Sequence, residues 1–431
     1  MWYLHWMLRF ICCKKRKYLG RTADPLSVDI QQKKSVTTNA ANAMSPRRVG
    51  WEIFSAIVFN FIVYFLIGLP LAVFPGFVHF TLGFSAVLAG FLISLQYAAT
   101  LVTRALIGRL SDVKGPKSAV LTGLACAIAS GACVFVASRS GSAEAVLAWL
   151  SFSRIWLGAA ESGTGTGCVT WAIGRIGPAH MAEAISLSGV AAYGGIALGA
   201  PAGVYLNHLG GLGALGVVTM GLAFTGLLLS AFKPAAQIVT GARMRFASVF
   251  RRMLPYGAAL ALGSVAFGTI VAFITLYYAS HGWTGAAYAL SAFSVAFVFV
   301  RAFFTRAVLR FGGFSAAKVS FSIEAVGLLA LWLAPAPWVA MLGVVLTGLG
   351  LSLIFPAMAM EALKTVSQSN RGAAIGVYTV FLDLSLGVTG PLAGLLITHY
   401  GYPSVYLMAA VAVVCALLLV FRLSSSARSV R

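Results

Sequence analysis

Long apolar runs dominate the chain. From about residue 52 onward they repeat at roughly 18 to 25 residues, the length that crosses ~30 Å of hydrocarbon, and short polar turns separate them. The pattern predicts twelve membrane-spanning helices, at about 52–78, 85–107, 117–138, 145–171, 183–207, 211–232, 251–279, 286–308, 315–334, 337–362, 372–398 and 401–423. The short alternating segments of a membrane β-barrel are not the pattern here. Two stretches stand apart. Residues 1–43 are polar and basic behind an aromatic start (Trp2, Tyr3, Trp6, Phe10), and 233–250 is a basic loop without apolar periodicity. The first is expected to be a disordered cytoplasmic extension. Its basic cluster, Lys14 to Lys17, follows the apolar stretch, the reverse of a signal peptide. Met44 would be a natural start codon, in which case residues 1–43 are a gene-calling artefact that N-terminal sequencing settles.

The loop 233–250 divides the rest into two six-helix halves, 44–232 and 251–423, with a cytoplasmic tail at 424–431. The halves repeat. At a lag of 197, Arg104 matches Arg301, Ala105 matches Ala302, Arg109 matches Arg306 and Gly115 matches Gly312. At a lag of 190 to 191, Pro201 matches Pro391, Gly203 matches Gly394, His208 matches His399 and Gly210 matches Gly401. A repeat of that length is far too long for a solenoid. Two parallel copies related by an axis along the membrane normal fit it instead. The fold class expected is therefore all-α integral membrane, twelve helices in two pseudo-symmetric halves. The second copy has lost one acid, because Leu309 stands where Asp112 stands in the first.

Composition supports the membrane assignment. Of the 431 residues, 60% are hydrophobic and 10% charged, against about 25% charged in a soluble protein. The net charge is +21. Its placement excludes a nucleic-acid surface, because Lys and Arg collect in every second loop and the intervening loops carry only Arg139. This positive-inside pattern places both termini in the cytoplasm. The six cysteines form no visible framework. Cys126 and Cys133 lie seven residues apart on one helix, a rise of ~10 Å, too long for a disulfide. Cys12 and Cys13 are too few for a closed zinc site. There is no P-loop, so ATP does not power the chain directly, and the six histidines show no metal-binding spacing.

The stretch Gly108-Arg109-Leu110-Ser111-Asp112-Val113-Lys114-Gly115-Pro116-Lys117 sits between the second and third runs. It resembles the loop between helices 2 and 3 of major facilitator superfamily transporters, G-x-x-x-D-x-x-G-x-[KR], and the resemblance covers nearly everything from Met44 on. A closer likeness, to bacterial efflux permeases of the sugar-efflux type, rests on 58–61, 92–97, 268–270 and 378–391. The resemblance implies a cytoplasmic gating motif of Gly108, Arg109, Asp112, Gly115 and Lys117. In it Asp112 faces the start of helix 11, here Asn370, Arg371 and Gly372, when the cytoplasmic side is closed. The plainer alternative is that Asp112 merely caps the third helix. Val113 departs from the family, where a basic residue is usual.

Among the charged residues inside predicted spans, where charge is costly and normally faces a cavity or a partner, three stand out. Arg154, in Leu150-x-x-x-Arg154-x-x-x-Gly158, resembles a family motif associated with proton coupling. Glu161 lies two turns on, so both project to one face of helix 4, ~10 Å apart. Asp383 sits a third of the way into helix 11 with nothing charged beside it in sequence. These are the proton-coupling candidates; the alternatives are a structural ion pair for Arg154 and a helix–helix hydrogen bond for Asp383. Gly199, Pro201 and Gly203 in helix 5 are similar to the family's antiporter motif, and Gly390 and Pro391 echo them in helix 11. They are hinge candidates, and simple close packing would look the same. Helices 1, 4, 7 and 10 line the cavity in this family. Asn60, Tyr64, Gln96, Tyr97, Thr269, Phe273 and Tyr277 are therefore candidates to bind cargo, with interfacial belts or packing as the alternative. Glu324 is expected to be a structural partner near the cytoplasmic face.

The function implied is secondary transport by alternating access, with proton-coupled efflux the leading form and symport uptake or uncoupled facilitation the rivals. A membrane-embedded enzyme or receptor would need a clustered catalytic set or a sizeable ligand-binding domain. The partners expected are a small-molecule solute, protons and the lipid bilayer, with no nucleic acid. No cofactor and no metal are expected. A monomer in the bacterial inner membrane is the expected state.

Overall fold

The computed structural model of the chain describes residues 45–177, 180–236, 246–366 and 371–429, and among these every regular element is a helix. Helix α1, Pro46–Leu71, continues through a turn at Phe74–Gly76 and a π-helical turn at Phe77–Thr81. Next come α2 (Ala86–Lys114), α3 (Pro116–Ala137) and α4 (Ala143–Ile176). The stretch Met181–Ala231 breaks at Gly210 and Gly211 into α5 (181–209) and α6 (212–231). The second half comprises α7 (Phe246–Ser280), α8 (Ala286–Phe311), α9 (Gly313–Trp332), α10 (Pro337–Leu363), α11 (Arg371–Tyr400) and α12 (Ser404–Ser429). The chain divides compactly at Val49/Gly50, and the unit 50–431 holds all of this but the first turn of α1.

Ten helices among the described residues are long and apolar enough to cross a membrane, the broken α5–α6 pair counting as one. Helix α4 is not among the ten, although its 34 residues are ample, because Arg154 and Glu161 lie in its middle. With these two facts joined, the twelve expected rods are present. Several ends differ from the expected limits: α1 starts at Pro46, and α2 runs on to Lys114, taking in much of the stretch expected to be a loop. Helix α7 starts at Phe246, inside the stretch expected to be loop, and α12 runs to Ser429, through most of the expected tail.

Local chemistry sets the helix ends. Ser85 and Ser142 cap α2 and α4, each accepting from the backbone N–H three residues on, at 3.2 Å. Pro116 and Pro337 occupy the first turns of α3 and α10, where the missing N–H costs nothing. Between α2 and α3, Gly115 adopts φ 89° and ψ 159°, and between α8 and α9, Gly312 adopts φ 84° and ψ 153°. The sequence repeat is thus a repeat of backbone conformation, at a φ that a side chain would strain. The Gly115 geometry also corrects one alternative for Asp112. Helix α2 runs on through Lys114, and the cap residue of α3 is Gly115, with no side-chain cap bond.

Packing is by close approach of small residues, as expected where lipid supplies no hydrophobic drive between helices. A Cβ at Gly163 of α4 would stand 2.7 Å from the Gly123 Cα of α3, and one at Gly343 of α10 would stand 2.7 Å from the Gly327 carbonyl of α9. The hinge candidates are such contacts: a Cβ at Gly199 would stand 2.4 Å from the Phe65 carbonyl, and one at Gly203 would overlap the Leu69 carbonyl outright. Gly203→Ala is therefore expected to lose about 1–3 kcal/mol by overpacking, seen as a lower thermal midpoint in detergent; an unchanged midpoint would show that α1 and α5 are not held this closely. Large apolar side chains such as Phe91, Phe152, Trp156, Phe224 and Phe303 are exposed, which suits a lipid-facing exterior.

The halves meet along two helix pairs, α2 with α11 and α5 with α8. The α2–α11 pair is tight at one end. A Cβ at Gly390 would stand 2.4 Å from the Gly90 carbonyl, and Ser94 Oγ donates to the Leu386 carbonyl at 3.0 Å. At the other end Gly108 and Gly376 have no foreign atom within 4 Å of a Cβ position.

Candidate functional site

The two charged residues of α4 are joined by one amide from α2. Arg154 Nη1 donates to Gln96 Oε1 at 2.7 Å, and Gln96 Nε2 donates to Glu161 Oε2 at 2.9 Å. Glu161 also accepts from the Tyr64 hydroxyl of α1 at 3.0 Å and from Thr100 Oγ1 of α2 at 3.2 Å. The Arg154 guanidinium lies 4.9 Å from the centre of the Phe74 ring, and its Nε and Nη2 find no hydrogen-bond acceptor. Arg154, Gln96 and Thr100 are completely or almost completely buried. Three helices thus converge on one acid and one base held two turns apart on α4, as the sequence spacing expects.

Asp383 is not alone. Arg104, on α2, donates to it from Nε at 2.5 Å and from Nη2 at 2.9 Å, a fork-to-carboxylate pair between the halves. The pair lies on the Gly108 side of the tight Gly90–Gly390 contact. The geometry is that of an ion pair across the two helices, where the expected alternative was a helix–helix hydrogen bond donated by the acid itself.

The cavity candidates separate into groups. Tyr64 and Gln96 belong to the Glu161 cluster, and Tyr97 is buried one residue further along α2. Asn60 donates to Ser188 Oγ of α5 at 3.1 Å, while its own Oδ1 has no partner. Thr269 donates within its own helix to the Ala266 carbonyl, and Phe273 packs against Gly90 of α2. Tyr277 is placed apart from all of these. It is fully buried, donates to the Leu331 carbonyl at 2.9 Å and meets Trp283 and Tyr406 edge-on.

Of the gating residues, Arg109 and Asp112 are exposed. Lys117 closes the end of α6, donating to the Ala231 carbonyl at 2.7 Å and the Lys233 carbonyl at 2.6 Å. Beside it Lys233 reaches the Ser55 carbonyl at 2.5 Å; burial, with Arg175 nearby, pushes its ammonium below the usual lysine range. Asn370 and the side chain of Arg371 lie outside the described residues, so the expected contact of Asp112 with the start of α11 falls there. In the second half, Glu361 of α10 accepts from the Gly313 N–H at the start of α9 and pairs with Lys364.

Residues outside the expected set complete the picture. Thr100 and Arg104 join the site by contacts their sequence neighbours do not announce. Tyr193 of α5 stacks on Phe297 of α8 with ring centres 3.5 Å apart and touches Phe267 and Phe293. Arg301 lies beyond that stack. A charged residue inside a predicted span was the signal for Arg104 and Arg301; nothing in the sequence marks Thr100 or Tyr193. Glu324 is corrected in place and contact. It is wholly buried in mid-α9, not near an end, and neither oxygen finds a donor. Cys126, Cys133 and Cys168 are buried free thiols.

The comparisons with known proteins agree with this architecture. The sequence profile of the Major Facilitator Superfamily matches residues 56–358 and 289–431. An uncharacterized MFS-type transporter of Burkholderia pseudomallei (strain 1106a) is 51% identical over 364 residues, covering 84% of this chain and 89% of its own. The uncharacterized MFS-type transporter YhhS of Shigella flexneri is 46% identical over 385 residues, covering 89% of this chain and 95% of its own. The fold is similar to the crystal structure of a D-xylose-proton symporter, at a TM-score of 0.70 and 14% identity, over 85% of this chain and 97% of that one. The chain belongs to the major facilitator superfamily, as a multi-pass membrane transporter and not an enzyme.

Proposed function

We propose that this transporter carries a small organic solute out of the cell in exchange for protons. The halves 44–232 and 251–423 rock about a site between them. The observation that carries the reading is the bidentate Arg104–Asp383 pair, an acid and a base from different halves meeting within the span. With the basic loops in the cytoplasm, the tight Gly90–Gly390 contact closes the outward side, and the Gly108–Gly376 end, free of such a contact, is the one that opens inward. Solute enters while Asp383 is ion-paired. A proton on Asp383 removes the negative charge that holds Arg104 and so loosens α2 from α11. Proton and solute therefore use different states of one interface, which is the logic of exchange. Glu161, with Arg154 tied to it through Gln96, is the second carboxylate, and Asp112 latches the start of α11 when the cytoplasmic side closes.

The test is the sign of proton movement. Purified protein is placed in liposomes loaded with a pH dye and with a solute found by thermal-shift screening. Exchange predicts that an outward solute gradient acidifies the lumen. Alkalinisation would mean symport, and no change would mean uncoupled facilitation; either result rejects the proposal.

A further inference from the structure

The internal repeat supplies two equivalent arginines, and only one has an acid. Arg104 of α2 faces α11 and meets Asp383. Arg301 of α8 faces α5 at the other seam between the halves, and no carboxylate lies within ion-pair distance of it among the described residues. At a lag of 190, Tyr193 stands where Asp383 stands in the second copy. The chain therefore keeps the base in both copies and the acid in one.

Arg301 is 5% exposed. Its Nη1 donates to the Ser352 carbonyl of α10 at 3.0 Å, and its guanidinium lies 5.4 Å from the Phe297 ring centre. Its Nε has no acceptor. One carbonyl and one ring face do not neutralise a guanidinium, and a charge left uncompensated at membrane depth marks a functional site. The neighbouring helix closes over that face of the guanidinium, so a partner reaches Nε and Nη2 only when α5 and α8 part. Gly189 of α5 lies against the guanidinium so closely that a Cβ there would stand 2.9 Å from Nη2 and 3.1 Å from Nε. On the far side the stacked Tyr193 and Phe297 rings form an apolar wall. A fork of N–H donors beside such a wall suits a carboxylate on an apolar body.

We infer that Arg301 receives the carboxylate of the transported solute, so that the cargo is a small organic anion whose acid group takes the place that Asp383 fills for Arg104. This rests on the reading of the chain as an alternating-access carrier with its site between the halves. The site differs from the Arg104–Asp383 pair, whose charge is already matched.

The test uses full-length protein in detergent, with benzoate as probe and benzamide as its uncharged isostere. Benzoate is expected to raise the thermal midpoint saturably and benzamide is not. Arg301→Gln should weaken the benzoate effect at least tenfold in apparent affinity, and Arg301→Lys should weaken it less. Gly189→Ala, which keeps the arginine but crowds it, should also weaken it, and it carries the test if Arg301→Gln does not give a monodisperse protein. No benzoate-specific shift in the unaltered protein overturns the inference. So does a shift that Arg301→Gln, or Gly189→Ala in its place, leaves intact. The liposome pH assay reads the coupling separately. Solute-driven acidification with no benzoate effect leaves the exchange reading standing and removes this site. A benzoate effect lost in Arg301→Gln, with no proton movement, keeps the site and removes the coupling.

Discussion

Asp383→Asn is expected to abolish the pH-driven part of transport while leaving solute-for-solute counterflow in liposomes. The asparagine keeps the size of the side chain but neither ionises nor exchanges a proton. Arg104 then loses its counter-charge in every state, and the α2–α11 seam no longer distinguishes a protonated from a deprotonated form. Counterflow needs only the rocking of the halves and should persist. Retention of pH-driven flux in Asp383→Asn would remove Asp383 from the coupling role. A stability cycle adds an independent readout. Each single change, Asp383→Asn or Arg104→Gln, should lower the thermal midpoint, and the double change should lower it by less than their sum, with a coupling of about 0.5–3 kcal/mol, the range for residues in direct contact. Arg104 is one fifth exposed at its side chain, which places the coupling in the lower part of that range. Additive effects would mean that the pair contributes nothing as a pair.

Glu161→Ala is expected to cost the most stability of any single acid removed, about 3–5 kcal/mol, the range for breaking a buried charged network by one member. Two donors lose their acceptor at once, the Tyr64 hydroxyl and Gln96 Nε2, while Thr100 Oγ1 keeps the Gln96 and Gly158 carbonyls. Gln96 also accepts from Arg154, so the amide that holds the guanidinium loses its own anchor. Glu144, exposed in the first turn of α4, is the control, and its replacement by alanine should stay within about 0.5 kcal/mol. Unfolding in mixed micelles compares the two. Equal and small losses would mean that the Glu161 cluster does not hold α1, α2 and α4 together.

Much of the fold was legible along the chain because each rule it obeys is local. A run of apolar residues must form a helix in lipid, since no water satisfies its backbone groups. The count of twelve, the break near Gly210 and the division at 233–250 follow from such runs. The Gly115–Gly312 match was visible as a lag of 197 before it became a shared backbone conformation. The pairing of Arg154 with Glu161 on one face also followed from helical spacing. Glu324 was assigned near an end although its own span, 315–334, puts it at mid-helix, and its lack of a donor is set across helices, where sequence gives no reading. Tyr277 was grouped with the cavity for want of that reading, and its hydroxyl is spent on the Leu331 carbonyl instead.

By itself, then, the sequence determined the helical rods, their internal duplication and the burial of a few charges within them, because hydrophobic length and period are properties of consecutive residues. Only the tertiary structure decided which charges answer one another. Asp383 and Arg104 are 279 positions apart, and a carboxylate's partner is set by distances of a few ångströms across a helix seam, which no local pattern encodes. The same folding that gave Asp383 its arginine left Arg301 without an acid.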